Sequence, residues 1–547
     1  MDIILTTLNA KYIHAAFGLR YLRANLGELR DRSQIMEFTI NERPIDIVER
    51  VLAQQPKIVG VGVYIWNITE SLAVVRMIKQ VAPDVIVVLG GPEVSHETQG
   101  QPIVDAADYT ITSEGEVAFA ELAQRLLSPR RQLMPVIESK IIAGGQPDTA
   151  SLVLPYDEYT DADLATRVLY IEASRGCPFE CEFCLSSLDE KVRNFPLPAM
   201  LEALDKLAAR GAKQFKFVDR TFNLSPKVSG ALLDFFLERA HLGLFAHFEM
   251  VPDRFPEALR ERLARFAPGA VQLEVGIQTF DPETAGRISR RQNIDATLTN
   301  LSWLHNHTGA HVHADLIVGL PGEDIATFAL GFDRLALAGP HEIQVGILKR
   351  LRGTPIIRHD AEFDVVWSND PPYEILQNKM ISFAELQRMK RFARAWDLVA
   401  NRGNFTSTTP LLWTDRDGNI GSPFAGFAAF AEWLASKTSL AAISLPRLTE
   451  LVRQYLVEQR GYTADQAGIA MAPDFAHSGA SVPKSLQPFV IELQRQRRDA
   501  HLNTTSAAGP VTSPAAANLA VTSPDAATNI PAEQARPARQ AKHHRAE

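Results

Sequence analysis

Cysteine is nearly absent from this sequence, which has three in 547 residues. All three stand in one short stretch, as Cys177, Cys181 and Cys184, with the spacing C-x3-C-x2-C. An odd number of neighbouring thiols cannot form a closed set of disulfides. Three cysteines without a pairing pattern indicate a reducing compartment, where thiols persist.

The sequence also lacks targeting and membrane-spanning features. No basic segment precedes the strand-like start at Met1–Leu5, which disfavours a secretory signal. Phe424–Ala435 is the nearest approach to a spanning run, and Glu432 interrupts it. We therefore predict a cytoplasmic protein without a membrane span. A net charge of −8 offers no general attraction to nucleic acid, so such a partner is disfavoured, although local patches stay open.

The cysteine stretch has the composition of an iron–sulfur site. Three thiolates serve three corners of a 4Fe–4S cube and leave the fourth iron open, whereas the usual ferredoxin patterns need a fourth cysteine. A structural zinc site would need a fourth Cys or His nearby, and no histidine occurs between His96 and His241. A zinc loop, or three unrelated thiols, is the alternative.

This stretch resembles the signature of the radical SAM superfamily, and Phe183, the aromatic residue before the last cysteine, fits it as well. The resemblance implies that S-adenosylmethionine occupies the open iron. It also implies that one electron from the reduced cluster cleaves this molecule to a 5′-deoxyadenosyl radical. Such a radical abstracts hydrogen from unactivated carbon, which acid–base groups at neutral pH do not easily do.

Residues 1–127 alternate short apolar runs with helical patterns. We predict an α/β domain with a Rossmann-like doubly wound sheet, because this order is typical of open parallel sheets with helices on both faces. The predicted strands are Ile3–Leu8, Ile35–Ile40, Ile58–Ile65, Val85–Gly90 and Tyr109–Ser113, and the first predicted helix is Ile13–Leu26. Ligands of such sheets bind at the carboxyl ends of the strands.

This domain is similar to the cobalamin-binding domains that precede many radical SAM domains. The resemblance implies a cobalamin site at the strand ends, with the candidate residues Asn9, Tyr12, Trp66, Gly90, Gly91 and Glu116. The motif D-x-H-x-x-G, which supplies a histidine to cobalt, is absent, so we expect no protein histidine on cobalt and a helix-start or packing role for His14. The alternative is a Rossmann-like domain that has lost its ligand or binds another.

Residues 128–166 are rich in proline and glycine and predict a linker with a small hairpin across Met134–Ala143. Regular alternation then resumes over residues 167–355, the expected radical SAM core. Six β/α units over this length predict a partial (β/α)6 TIM-like barrel, with the cysteine loop directly after its first strand.

The ends of the barrel strands carry polar groups that the resemblance assigns to cofactor binding. The candidates are Asp219, Arg220, Asn223, Glu249, Glu274, Gln278 and Gly319. The Gly-Gly-Glu form common in the family is absent after the second strand, so Asp219, Arg220 and Asn223 are placed by position. Lys349, Arg350 and Arg352 follow the sixth strand, where they could pair with a carboxylate of S-adenosylmethionine or an anionic substrate. Singly, each of these is more often a surface ion-pairing residue.

Residues 356–500 predict a helical C-terminal domain without an assignable site, in which Trp396, Trp413 and Trp433 are packing residues. Residues 501–547 are rich in Ala, Thr, Ser and Pro and predict a disordered tail.

The function that these features imply together is that of a cobalamin-dependent radical SAM enzyme, with methyl transfer to an unreactive carbon as the leading reaction. An electron donor such as flavodoxin or ferredoxin is the implied partner. The first alternative is a rearrangement, cyclisation or oxidation without methyl transfer. The second is a cobalamin or iron–sulfur sensor without turnover. A methylthiotransferase is disfavoured because no cysteines remain for a second cluster. The substrate and the catalytic residues beyond the cofactor sites are not specified.

Overall fold

The computed structural model describes residues 1–129, 139–189, 191–476 and 482–506, with side chains up to residue 498. These residues form two compact units. Of the described residues, the first comprises 1–331 and 338–386, and the second comprises 332–337 and those from 387 to 506. None of the helices in the described ranges is both long and apolar enough to cross a membrane.

The N-terminal region is a sheet of six parallel strands. They are β1 Ile3–Asn9, β2 Ser33–Thr39, β3 Ile58–Gly62, β4 Ile86–Gly90, β5 Tyr109–Thr112 and β6 Ile141–Ala143. Its helices are α1 Phe17–Ala24, α2 Pro44–Leu52, α3 Ile68–Val81, α4 Pro102–Ala106 and α5 Glu116–Leu127. The strand order β2-β1-β3-β4-β5-β6 reverses between β1 and β3, which marks the carboxyl edge there as the expected ligand crevice.

Alternation along the strands gives this sheet two apolar faces. On β1, Ile4 and Leu8 pack on one side with residues of α2, α3 and α4, whereas Ile3 and Leu5 pack on the other side with residues of α1 and α5. Because both faces are covered, strands such as β3 (Ile58–Gly62) and β4 (Ile86–Gly90) consist of apolar residues and glycine throughout, and this explains the short apolar runs of the sequence. The prediction of a doubly wound sheet is confirmed.

Two segments of this region differ from the prediction. Helix α1 begins at Phe17 and not at Ile13, because the preceding residues form a turn in which the His14 amide donates to the Lys11 carbonyl (3.2 Å). The predicted linker supplies β6, which pairs in parallel with β5 and is therefore not half of a hairpin. The remainder of the predicted hairpin, residues 134–138, lies outside the described residues.

The barrel region continues the alternation. Strands β7 to β14 are Leu169–Ile171, Ser174–Arg175, Arg193–Asn194, Gln214–Phe217, Phe245–Met250, Val271–Gln278, His311–Val318 and Glu342–Ile347. Helices α6 to α12 are Asp161–Thr166, Leu197–Ala209, Pro226–Glu238, Glu257–Leu263, Pro282–Arg287, Ile294–His307 and Ile325–Ala338. Six of the strands form a parallel sheet in the order β7-β10-β11-β12-β13-β14, and this confirms the partial (β/α)6 barrel.

The chain then forms a two-stranded antiparallel pair, β15 Val366–Trp367 and β16 Ile375–Gln377, in a region predicted as helical. The helices of this part are α13 Asp360–Phe363, α14 Phe383–Trp396, α15 Pro423–Lys437, α16 Leu445–Glu458, α17 Ala464–Ala476 and α18 Gln487–Ser506. In the second unit Trp396 is buried and its ring stacks on Trp413 at 6.2 Å. The predicted tail begins inside α18, and residues 507–547 lie outside the described residues.

Buried ion pairs join the N-terminal sheet to the start of the barrel. Glu37 on β2 accepts from Arg20 of α1 (2.8 Å) and from Arg167 just before β7 (2.7 Å). Arg20 also donates to Asp163 of α6 (3.0 Å). Burial works to raise the pKa of Glu37, but the charges of Arg20 and Arg167 outweigh it and the pKa is lowered.

We predict that Glu37→Gln destabilises the protein by about 3 kcal/mol at pH 7, because it leaves Asp163 to balance the two buried guanidinium groups of Arg20 and Arg167. The folded pKa of Glu37 lies below the unfolded value of about 4.5, so the stabilisation is complete above that pH. It is lost as the pH falls through the folded pKa. Denaturant unfolding measures the free energy of unfolding of wild type and variant. The difference between the two should therefore become smaller under acidic conditions.

The matched control is Glu42→Gln, which removes an exposed pair with Arg50 and should be close to neutral. Equal stability losses in the two variants would contradict a special role for Glu37.

Candidate active site

The three cysteines lie in a loop that a short hairpin closes. Strand β8 leads into the loop and pairs antiparallel with β9 after it, and the Cys177 amide donates to the Asp189 carbonyl (2.8 Å). Gly176 has φ +85°, and a Cβ there would lie 2.4 Å from the carbonyl oxygen of Lys191. Glycine is therefore required for the two arms of the loop to meet.

Glu182 fixes the middle of the cysteine loop to distant parts of the chain. Its side chain is 2% exposed, and its carboxylate accepts from Ser289 (2.7 Å), from His359 Nε2 (2.8 Å) and from Arg358. Its backbone carbonyl also accepts from the amide of Ile356 (3.1 Å). The loop between Cys181 and Cys184 is thus held from two sides.

The cysteine environment fits an iron–sulfur cluster. All three are free thiols, and Cys177 and Cys181 are buried. Burial raises the pKa of both buried thiols, so ligation must displace their protons. Arg290 Nη1 donates to Cys181 Sγ (3.4 Å), which supplies positive charge beside a thiolate. Three thiolates from one loop, with no fourth cysteine in the sequence, match the donor set of a cluster with one open iron.

Two predicted cofactor residues after β10 are occupied by contacts within the protein. Asp219 accepts from the Ala173 amide (2.9 Å) and from Ser174 Oγ (2.6 Å), and burial raises its pKa to about 6. Asn223 is buried and exchanges hydrogen bonds with the backbone of Val251 (2.8 and 3.0 Å). These contacts brace the start of the cysteine loop and the end of β11, and the cofactor-binding roles stay predictions.

Arg220 and Glu249 lie at the mouth of the barrel, at the ends of β10 and β11. They form an ion pair of 3.5 Å, and the Arg220 side chain is 52% exposed, so it remains accessible to a ligand. Burial raises the pKa of Glu249 to about 7, against the opposing charge of Arg220. Near neutral pH this carboxyl group can therefore hold or release a proton.

The inner face of the barrel below this mouth is polar. Glu274 on β12 bonds to His247 Nε2 (2.9 Å) and lies 3.6 Å from Lys216 Nζ. Burial works to raise the pKa of Glu274, but the contacts with His247 and Lys216 outweigh burial and lower this pKa. Burial lowers the pKa of His247 to about 4. The next strand adds His313, which contacts Asp315 (3.1 Å). An interior of this kind is suited to a polar ligand and differs from the apolar filling of complete barrels.

The remaining two predicted residues of the barrel lie at the ends of β12 and β13. Gln278 has φ +74° at a register shift in β12, which turns the end of the strand out of its regular ladder. Gly319 has φ +96°, and a Cβ there would lie 2.8 Å from Ile375. Gly319 therefore permits close packing against β16. Phe183 is half-buried in the cysteine loop.

The predicted cobalamin residues lie along the carboxyl edge of the N-terminal sheet. Asn9 is buried and donates to Glu37 (3.0 Å). Trp66 is 45% exposed and stacks on Tyr64 with ring centroids 4.4 Å apart. Tyr12 is 57% exposed, and Arg167 lies over its ring. The structure thus brings two exposed aromatic side chains to the edge where the strand order reverses, close to Asn9.

The end of β4 and the start of α5 form the rest of this edge. Gly91 has φ +112°, and a Cβ there would lie 2.4 Å from the Val63 carbonyl oxygen, while Gly90 precedes it at the end of β4. Glu116 is buried, one carboxylate oxygen pairs with Arg175 (2.7 Å), and the other has no hydrogen-bond partner in the described structure. An unpaired buried acceptor fits a ligand that carries amide donors, as cobalamin does.

His14 bonds through Nδ1 to the Tyr170 hydroxyl (2.7 Å), and burial lowers its pKa to about 4. This contact gives it the packing role that the sequence favoured.

Several contacts at the site were not predicted. Arg350 and Arg352 pair with Glu97 (2.8 Å) and Glu93 (2.7 Å) of the N-terminal sheet, where the sequence suggested an anionic ligand. Sequence reasoning also missed Arg290 and Glu182, whose partners are far away along the chain. Glu182 lies inside the cysteine stretch, and a charged residue between two of the cysteines was the one available signal.

Comparisons with known proteins agree with this architecture. Residues 3–123 match the model of the B12 binding domain, residues 171–330 that of the radical SAM superfamily, and residues 361–503 that of a protein family of unknown function, DUF4080. An uncharacterised methyltransferase of Pyrococcus horikoshii is 27% identical over 335 residues, which cover 56% of this chain and 70% of that protein.

Two further relatives extend the comparison. The cobalamin-dependent radical SAM methyltransferase TokK of Streptomyces tokunonensis is 27% identical over 54% of this chain and 47% of its own length. The solved structure of the radical SAM methyltransferase TsrM from Kitasatospora setae, with cobalamin and a 4Fe–4S cluster, superposes with a TM-score of 0.54 at 16% identity. That match covers 87% of this chain and 99% of that one, and it supports the fold.

Residues 3–123 therefore form a B12 binding domain and residues 171–330 a radical SAM domain, and the resemblance predicted from the sequence is confirmed. The cofactors of the chain are a 4Fe–4S cluster, S-adenosylmethionine and cobalamin, and the cysteine loop and the N-terminal sheet edge hold residues that fit them.

We predict that Cys181→Ala abolishes cluster-dependent chemistry, since two thiolates cannot hold a cube in place of three. Iron and sulfide content after anaerobic reconstitution, with the electron paramagnetic resonance spectrum, measures the loss. Full cluster occupancy together with cleavage of S-adenosylmethionine would refute the assignment of the loop.

We also predict that Gly91→Ala weakens cobalamin binding about tenfold or more, because the added Cβ forces the backbone away from Val63. Gly100→Ala is the matched control. Gly100 also has a positive φ (+73°), but nothing lies within 4 Å of the added atom. The cobalamin absorbance that each variant retains after desalting measures the difference. Equal retention by the two variants would contradict a cobalamin-binding role for the backbone at Gly91.

Proposed function

We propose that this chain is a cobalamin-dependent radical SAM methyltransferase that methylates an unreactive carbon. The observation that carries the proposal is the combination, in one compact unit, of the three-thiolate loop with the ligand edge of a B12 binding domain. When bound, the cluster and S-adenosylmethionine supply a carbon-centred radical, and cobalamin supplies a methyl carrier. Four of the curated relatives are methyltransferases by name, and this supports methyl transfer as the reaction.

The residues of the chain have separable tasks in this reaction. The cysteine loop binds the cluster, and Glu182 and the hairpin β8–β9 keep it rigid. Arg220 and Glu249 at the barrel mouth are proposed to orient S-adenosylmethionine or the substrate, since an exposed guanidinium and a carboxyl group that titrates near neutral pH can bind carboxylate and ammonium groups. The polar interior formed by Lys216, His247 and Glu274 favours a hydrogen-bonding substrate.

The alternatives differ in what they require of the cobalamin edge. A rearrangement, cyclisation or oxidation would use the same barrel with no methyl group passing through cobalamin. A sensor without turnover would not need the polar barrel mouth. The external reductant is proposed to be a flavodoxin or ferredoxin. Three free cysteines at an oxygen-sensitive site support a cytoplasmic location.

We predict that the anaerobically reconstituted enzyme, given S-adenosylmethionine and a reductant, forms 5′-deoxyadenosine without added cobalamin, and S-adenosylhomocysteine only with it. Chromatography of the nucleoside products measures both. 5′-Deoxyadenosine alone under both conditions would favour the reactions without methyl transfer. Neither product, despite a complete cluster, would overturn the enzymatic proposal.

A further inference from the structure

We propose that Arg175 is a positioning residue that locks the cysteine loop to the cobalamin edge of the N-terminal sheet and so sets the spacing of the two cofactor sites. Arg175 belongs to β8, two residues before Cys177, whereas its partner Glu114 follows β5 and its partner Glu116 begins α5. The inference rests on the proposed function only for its consequence in catalysis, because the contacts themselves are independent of it.

The Arg175 guanidinium uses all three nitrogens. Nη1 donates to Glu114 (2.6 Å), Nη2 to Glu116 (2.7 Å), and both Nη2 and Nε donate to Glu172 (2.8 and 3.0 Å). Two of these carboxylates belong to the N-terminal sheet and one to the barrel. A planar fork can satisfy three acceptors in fixed directions, which a lysine ammonium does not reproduce.

The surroundings make this contact rigid. The side chains of Arg175 and Glu116 are 12% and 7% exposed, so solvent screens the pairing little. The guanidinium lies over the Tyr21 ring at 4.7 Å, which adds a contact with α1 of the N-terminal region. Glu114 also pairs with Arg193 on β9, so both arms of the hairpin that closes the cysteine loop are held by one glutamate.

The sheet side of the contact is equally constrained. A Cβ on Gly144 would lie 2.0 Å from the Glu114 carbonyl oxygen, so the chain after β6 packs directly on this turn. Glu116 starts from the same turn, so its position is fixed as well. Its second carboxylate oxygen has no hydrogen-bond partner among the described residues. One guanidinium therefore orients both a residue of the cobalamin edge and the first residues of the cysteine loop.

This geometry has a distinctive consequence. A step that needs the cysteine loop alone tolerates a shift of this loop relative to the turn between β5 and α5. A step that needs both cofactors at a fixed separation does not. Loss of the lock should separate S-adenosylmethionine cleavage from methyl transfer. A residue that merely stabilised the fold would lower both equally.

The test compares full-length Arg175→Lys and Glu114→Gln with the control Glu97→Gln, all reconstituted with cluster and cobalamin. Glu97 also joins the two regions, through Arg350, but away from the cysteine loop. The first readout is amide hydrogen exchange. In the two test variants, protection of residues 113–119 and 174–184 should fall together by about tenfold, and the control should leave both segments unchanged.

The second readout is the ratio of products. In the test variants with wild-type iron content, we expect the yield of S-adenosylhomocysteine relative to 5′-deoxyadenosine to fall about tenfold. Unchanged exchange, or exchange altered in one segment only, would overturn the proposal, as would an equal decline of both products. If the wild-type enzyme makes no S-adenosylhomocysteine, the proposed function fails, and hydrogen exchange alone then decides whether Arg175 is the lock.

Discussion

Buried pairing of arginine with carboxylates between the N-terminal sheet and the barrel is the interaction on which this structure depends. Arg20 pairs with Asp163, Arg167 with Glu37, Arg175 with Glu114 and Glu116, and Arg352 with Glu93. Such pairs are strong only where geometry satisfies every donor, because each buried charge loses its hydration. These pairs fix the position of the N-terminal region relative to the barrel. Without them, the two cofactor sites, which lie on separate sheets, would have no fixed separation.

The same requirement accounts for the unusual interior of the barrel. A complete barrel fills its centre with branched apolar side chains, but six strands leave an open side and a space that ligands enter. Lys216 and His247 pair there with Glu274, and His313 pairs with Asp315. Each of these polar groups is stable in the interior because a partner compensates its lost hydration.

Both sheets were predictable from the sequence because parallel strands buried on two faces appear as apolar runs between helical patterns. The cysteine loop was predictable because all its ligands are neighbours in the chain. The three-residue strand β6 was too short to give a pattern, and its assignment depends on pairing with β5. The roles of Asp219, Asn223 and Arg352 could not be inferred, because their partners are brought near only by folding. Glu116 follows β5, but its cobalamin-binding role stays a prediction, and the sequence contains no sign that Arg175 binds it.

The placement of the cluster ligands has a consequence for how the protein is made. The three cysteines leave the ribosome within eight residues of one another, so they are available to a cluster donor as soon as the loop emerges. The residue that fixes the loop from behind, His359, is synthesised 177 residues after Glu182, which is about ten to thirty-five seconds at ordinary rates of translation. During synthesis the cysteine loop is therefore accessible for this interval. The interval ends when the segment around His359 binds Glu182.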